Sequence, residues 1–174
     1  MVRDVTDWLA EHMLSGKPLY ATRLPYSGPG SPEAEGLFIP RQVVARVAPR
    51  VFWVGKVNPS EPIEMSIDSH PHSQTIEAVW FNSEHHGGDQ NETRLVGFDP
   101  ESVLADPEST GALVMFAFQP ARREEPARSR VWMCESAAEE DIAETRIGPV
   151  DRLFGGALWP HIFERLDRPH RSYV

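Results

Sequence analysis

The fold this chain predicts is mostly β or α+β, a barrel of short strands with small helices tucked between them. Two observations carry that expectation. Runs rich in Val, Ile, Phe, Trp and Thr recur at short spacing, and clusters of Pro, Gly, Asn and Asp separate them. Neither the regular strand–helix alternation nor the glycine fingerprint of a nucleotide-binding doubly wound sheet is present. At 174 residues the chain is one ordinary domain, long enough to bury a core without disulfides.

The elements follow in order. Asp4 to Leu14 reads as a short amphipathic helix with Val5, Trp8, Leu9 and Met13 on one stripe, ended by Gly16 and Pro18. Leu19–Leu24 is strand-like and leads into a loop dense in breakers: Pro25, Gly28, Pro29, Gly30 and Pro32. Gly36–Ile39 is a second strand. Pro40 suits the first turn of a helix that carries Val43, Val44 and Val47 and stops at Pro49. Strands are then expected over Arg50–Val57, Ile63–Asp68, Thr75–Asn82, Thr93–Phe98, Ala112–Phe118 and Arg130–Glu135. Ser136 with Glu139 three residues on is a capping box for a helix reaching about Arg146, closed by Gly148-Pro149. The domain is drawn over residues 1–153. Residues 154–174 form a tail in which Trp159, Ile162, Phe163 and Leu166 suit a docked helix.

Composition narrows the setting. One cysteine, Cys134, excludes an intramolecular disulfide and fits a reducing cytoplasm. No apolar run approaches the ~18 residues of a membrane span, and no secretory h-region follows Met1. Lys+Arg is 17 against 26 for Asp+Glu, a net charge of −9, opposite in sign to most nucleic-acid-binding domains. Fifteen of the 17 basic residues are arginines, which suits a few directed, bidentate contacts better than a diffuse basic surface.

Four phrases occur in one register. They are Gly36-Leu37-Phe38-Ile39-Pro40, then Val79-Trp80-Phe81-Asn82-Ser83-Glu84-His85, then Asp106-Pro107-Glu108-Ser109-Thr110-Gly111-Ala112-Leu113, and finally Val131-Trp132-Met133-Cys134-Glu135-Ser136 running into Glu139-Glu140-Asp141-Ile142-Ala143-Glu144-Thr145. Together, over about Trp8 to Gly148, the series resembles the N-terminal effector domain of EcoRII-type restriction endonucleases. That domain is a DNA-binding pseudobarrel of the kind also seen in plant transcription factors. The resemblance implies about seven strands with short flanking helices. It also implies sequence-specific binding of double-stranded DNA by two arms that clasp the major groove like a wrench, with a nuclease domain or subunit as partner.

On this sequence the first arm spans Arg23 to Phe38 and offers Arg23, Tyr26, Ser27, Ser31, Glu33 and Phe38. The second spans Glu77 to Arg94 and offers Glu77, Asn82, Glu84, His85, Gln90, Asn91, Glu92, Thr93 and Arg94. Gln and Asn pair bidentately with adenine, Arg with guanine, and Glu accepts from the cytosine amino group. Glu92 and Arg94 match the family pattern, whereas Glu77 and Glu84 stand where it has arginine, and Gly88 and Gln90 replace further basic residues. The second arm is therefore net −3. Few phosphates are neutralised by such an arm, so a shallow salt dependence corresponding to about four contacts or fewer is expected. If His85 and His86 face phosphate, binding is expected to tighten as the pH falls toward about 6, since the protonated imidazole is the favoured bound form. Arg41, Arg46, Arg50 and the arginines from Arg122 to Arg130 are further candidates for flanking phosphate contacts.

Other chemistries fare worse. His70-x-His72 with His85, His86 and Asp89 invites a cupin-type metal reading, but no carboxylate or cysteine lies at a spacing typical of zinc sites, so no metal or other cofactor is expected. A restriction-type nuclease centre needs paired carboxylates and a lysine one residue after an acid. Only Lys17 and Lys56 occur, after Ser15-Gly16 and Val54-Gly55, so no catalytic residue is expected in this chain. The contrasting reading is a barrel that has lost DNA binding and serves as a protein-interaction or small-ligand module.

Overall fold

A computed structural model describes residues 4–25, 36–53, 55–82, 92–150 and 156–160. Its elements are α1 (Val5–Leu14), β1 (Leu19–Arg23), β2 (Leu37–Phe38), α2 (Arg41–Val47), β3 (Ser60–Ile67), β4 (His72–Phe81), β5 (Glu92–Val96), β6 (Leu113–Gln119), β7 (Ala127–Met133), α3 (Ala137–Ile147) and β8 (Ala157–Trp159). The eight strands form one curled sheet in the order β2-β5-β4-β3-β7-β6-β1-β8. All its pairings are antiparallel except β3 with β7. The barrel-like mostly-β expectation holds, with eight strands described where about seven were expected.

The centre of the sheet is β6, Leu-Val-Met-Phe-Ala-Phe-Gln. Six of its seven residues are buried. Alternate side chains of a strand point to opposite faces, so an unbroken apolar run is buried on both. Val114, Phe116 and Phe118 fill the barrel interior with Ile63, Met65, Ile67, Ile76, Leu95 and the valines of α2. Leu113, Met115 and Ala117 face outward into a second core, roofed by Val5, Trp8 and Leu9 of α1 and by Ala143 and Ile147 of α3.

Caps fix the two roofing helices. The Asp4 side chain accepts from the Asp7 amide, and that of Ser136 from the Glu139 amide. Glu139 turns back to the Glu135 amide and also accepts from the Trp132 indole, fastening α3 to the sheet. Under α1, Asp68 accepts from the buried Trp8 indole at 2.8 Å and receives the Arg130 guanidinium through two bonds.

Two expectations fail here. The expected strand Arg50–Val57 is not found: Pro49–Phe52 is a 3-10 turn, and residues 53 and 55–59 belong to no strand. Pro49 enters the turn where its missing N–H costs nothing, and only Val51 of this turn is buried. The tail boundary at 153 also falls too early, because Ala157–Trp159 pairs antiparallel with Leu19–Ala21 as the last strand of the sheet. Ile162, Phe163 and Leu166 lie outside the described residues. The helix stripe holds, with Met13 partly buried against the same core, and His12 joins it as a fully buried position of α1.

His12 is 1 % exposed, edge-on to Trp8, with Lys17 Nζ 3.4 Å from Nδ1 and with Nε2 buried and unpartnered. Burial, and then the Lys17 charge, lower its pKa to about 4 from 6.5. Because the folded value lies below the unfolded one, the unfolded chain takes up the extra proton between those limits. Stability is therefore full above about pH 6.5 and falls as the pH drops toward 4. Thermal melts from pH 7.5 to 4.5 should show this loss, and His12→Leu should flatten part of it while holding or raising the melting temperature at neutral pH. An unchanged pH profile in the variant would show that His12 does not carry the effect.

Candidate nucleic-acid interface

Both expected arms spring from a small stitched patch. The first leads into Gly36, the second into Glu92, and β2 pairs with β5 through Leu37–Leu95 and Phe38–Arg94. Around those two pairs Ile39 N donates to Thr93 O, and Thr93 Oγ1 donates to Ile39 O. Arg94 Nη1 donates to Gly36 O at 3.0 Å, and Nη2 to Glu92 Oε1 at 2.8 Å. Gly36 has to be glycine: its φ is +136°, and a Cβ there would sit 2.6 Å from Leu95 O. So short a strand pair would fray alone; the side-chain bonds hold it.

The register shows which residues share a surface. Directly paired residues of neighbouring strands project to the same face. Phe38 pairs with Arg94, and Arg94 with Val79; Glu92 pairs with Phe81, and Val96 with Glu77. The intervening Leu37, Ala78 and Leu95 point into the barrel core. Phe38, Glu77, Glu92 and Arg94 therefore lie together on the outer face of β2-β5-β4, between the two arm roots. Phe38 is 47 % exposed there. The face carries two carboxylates against one guanidinium, and that guanidinium is already paired with Glu92.

Three other candidates are placed differently. Thr93 is 1 % exposed and points inward, with its hydroxyl on Ile39 O, so its part is to seat the arm roots. Arg23, at the end of β1, is turned to the opposite roof. Its guanidinium donates to Glu140 at 3.0 Å, Glu144 at 2.7 Å, Val150 O at 3.2 Å and Gly111 O at 3.1 Å. That network clamps α3 to the sheet, where sequence reasoning expects a base-reading group. Asn82 sits at the root of the second arm in a reciprocal pair. Its Oδ1 accepts from Asn58 N, its own N donates to Asn58 Oδ1, and its Nδ2 donates to Lys56 O. Tyr26, Glu33, Glu84, His85, Gln90 and Asn91 lie outside the described residues.

Sequence reasoning missed Asn58, which adopts φ +46°, a left-handed conformation that Asn tolerates better than most residues. It also missed the aromatic seat of Arg41, whose guanidinium lies 4.4 Å from the Phe52 ring centre and 4.8 Å from that of Trp80. The Asn-Pro dipeptide was a turn signal for the former; nothing local announced the latter.

The histidine pair gives no shared cation site. His70 faces Glu135 while His72 faces Asp99 at 3.5 Å, and no group of three or more His, Cys, Asp or Glu converges among the described residues. Burial, with Glu139 and Glu140 close by, pushes the Cys134 thiol up to about 12, far from a thiolate nucleophile.

The Arg23 clamp makes a prediction. Arg23→Ala strands two carboxylates and two carbonyls, and should lower stability by about 2–4 kcal/mol in a denaturant titration. An unaltered midpoint would mean that the clamp contributes nothing to the fold.

With the geometry in place, three likenesses agree. Residues 20–159 match the family model described as restriction endonuclease EcoRII, N-terminal. The type II restriction enzyme EcoRII of Escherichia coli is 30 % identical over 149 residues, covering 83 % of this chain. The match takes up 37 % of that enzyme, so the chain spans little more than a third of its relative. Among solved structures, the B3 domain of UbaLAI restriction endonuclease, determined with cognate DNA, superposes at a TM-score of 0.50. It shares 13 % identity over 88 % of this chain and 96 % of that one, a likeness of fold. The chain belongs to the family of EcoRII N-terminal domains.

Proposed function

We propose that this chain is a sequence-specific double-stranded DNA-binding module, the recognition or effector part of a restriction-modification system working in the cytoplasm. The observation that carries the reading is the outer face of β2-β5-β4. There Phe38, Glu77, Glu92 and Arg94 lie between two arm roots sewn together by Arg94 and Thr93, in a chain of the EcoRII N-terminal family. An α-helix or a pair of strands can enter a major groove about 12 Å wide, and two arms rooted about a sheet face would make an analogous insertion. The UbaLAI B3 domain, whose structure holds cognate DNA, supports the same ligand. A nuclease domain or subunit is the partner this reading implies, since the chain corresponds to 37 % of the E. coli enzyme.

Selection from a pool of random duplexes, followed by gel shift of the enriched sequence, tests the reading. Enrichment of one short site supports it; a flat pool would favour a protein-interaction module. On the enriched duplex, Arg94→Ala should cost roughly 1–3 kcal/mol of binding and relax base preference, through a missing base hydrogen bond or loosened arms. Arg94→Lys should not restore it, because an ammonium lacks the fork that spans Gly36 O and Glu92. Undiminished binding by Arg94→Ala would take this residue out of the interface.

The chain itself should not cut DNA. No acid-x-Lys arrangement is present to organise a magnesium centre beside paired carboxylates. Supercoiled plasmid incubated with the protein and magnesium or manganese should stay intact. Cleavage that co-purifies with the protein and vanishes when one of its acidic residues is mutated would overturn this.

A further inference from the structure

In a chain of net charge −9, the stretch from Gly36 to Ser60 contains four basic residues, Arg41, Arg46, Arg50 and Lys56, and no acidic one. The fold gathers α2 and the 3-10 turn that follows it over one end of the barrel. Val43, Val44 and Val47 of α2 plug the interior, while Arg41 and Arg46 stay exposed. Val47 O accepts from Ala121 N, beyond the end of β6, and Arg41 rests on Trp80 near the end of β4. The capped end is therefore the one from which the second arm departs. The loop after the 3-10 turn is fastened to that arm, since Lys56 O and Asn58 both bond to Asn82. It also holds Trp53 out at 65 % exposure, with Arg50 5.9 Å from its ring centre.

We propose that this basic cap is a second contact surface, which grips the phosphodiester backbone of duplex DNA where it runs past the second arm and outside the bases that are read. The inference rests on the DNA-binding reading above and adds to it the source of affinity. Charge complementarity selects the occupant: a −3 arm and a face with two carboxylates to one arginine cannot hold a polyanion electrostatically. Backbone contacts supply most of the sequence-independent affinity of DNA-binding proteins and need cations, not base-reading groups. Continuity does the rest, because the cap and the arm share the Asn58–Asn82 bonds. Glu61 tempers Arg50; its carboxyl is pushed above the usual range by burial, with the Arg50 charge acting the other way. Arg46 and Lys56 are the cleaner reporters, both exposed.

The test compares wild type with the Arg46→Gln, Lys56→Gln double variant on two duplexes, one trimmed to the selected site and one carrying about ten further base pairs on each side, one helical turn. On the long duplex the variant's log–log salt slope should be shallower by about 2, near 0.9 for each phosphate no longer neutralised. Base preference in the selection should be unchanged, and the two proteins should bind the trimmed duplex alike. Closely matching melting temperatures would confirm that the fold is intact, as expected for exposed sites. Equal slopes on the long duplex, with wild type binding normally, would overturn the cap and leave the arms standing. A changed base preference would overturn it too, since the cap would then be reading sequence. Wild type that binds neither duplex at any salt would overturn the DNA reading and the cap together.

Discussion

Burial of β6 on both faces is the constraint from which the rest of the structure follows. A strand reading Leu-Val-Met-Phe-Ala-Phe needs an apolar partner above and below, at about 1.5–3 kcal/mol for each large side chain taken from water. The sheet meets the first need by curling so that β3, β4, β5 and α2 close over Phe116 and Phe118. It meets the second by carrying α1 and α3 as a roof over Met115 and Leu113. The roof helices are weakly amphipathic pieces that would not persist alone, and their polar fastenings reflect it: Asp68 under Trp8, Glu139 on Trp132, Arg23 on Glu140 and Glu144. The arginine at the end of β1 thus serves the scaffold. The opposite edge of the sheet, β2-β5-β4, has an outer face that no helix covers among the described residues, and the arm roots lie on it.

That division leaves the uncovered face to hold its own shape. The uncovered face must be stiff, because β2 and β5 pair over only two residues. Stiffness comes from Arg94, Thr93 and the crowded backbone at Gly36. A guanidinium that bonds a backbone carbonyl and a carboxylate has less freedom to seek a ligand, but it arrives preorganised. What such a group gives up in reach it recovers through the smaller ordering entropy that binding requires. The acidic character of the face acts the other way, on affinity. On the DNA-binding reading proposed above, its phosphate repulsion is the same for every duplex and lowers affinity without altering the choice among sequences. Specificity is a difference of affinities from which that common cost cancels, so discrimination falls to directed base contacts.

Much of this is legible in the sequence, and the failures have causes. The α1 and α3 boundaries follow from cap residues, whose local hydrogen bonds depend on little else. β6 announces itself by its apolar run. The stretch after Pro49 misleads because Val51, Phe52 and Trp53 have strand-like composition, while its backbone is decided by Pro49 and by the docking of Phe52 beside Trp80. β8 escapes notice since three residues hold no period; it exists because β1 offers an edge beside it. Among the site candidates, the arm boundaries group Phe38, Glu77, Glu92 and Arg94, and the strand register sets these four on one face. Arg23 and Thr93 fall elsewhere, because whether an arm-root residue points to solvent or to the scaffold depends on the pleat and on distant partners: Glu140 lies 117 positions from Arg23.

A net charge of −9 runs together two quantities that act at different ranges. Whole-chain charge governs long-range approach, and screening limits that to about 8–10 Å at physiological salt. At contact, what matters is the local arrangement within that distance. Here acidic residues dominate the second arm and its face, while the helix and loop capping the adjoining end of the barrel carry only basic ones. On the reading proposed above, a polyanion that meets this surface is turned away from the centre and drawn to the flank. It can settle only where base contacts at the centre outweigh the repulsion there. An acidic isoelectric point is therefore compatible with a DNA-binding surface in this chain, provided the cations are grouped, as the unbroken run from Gly36 to Ser60 groups them.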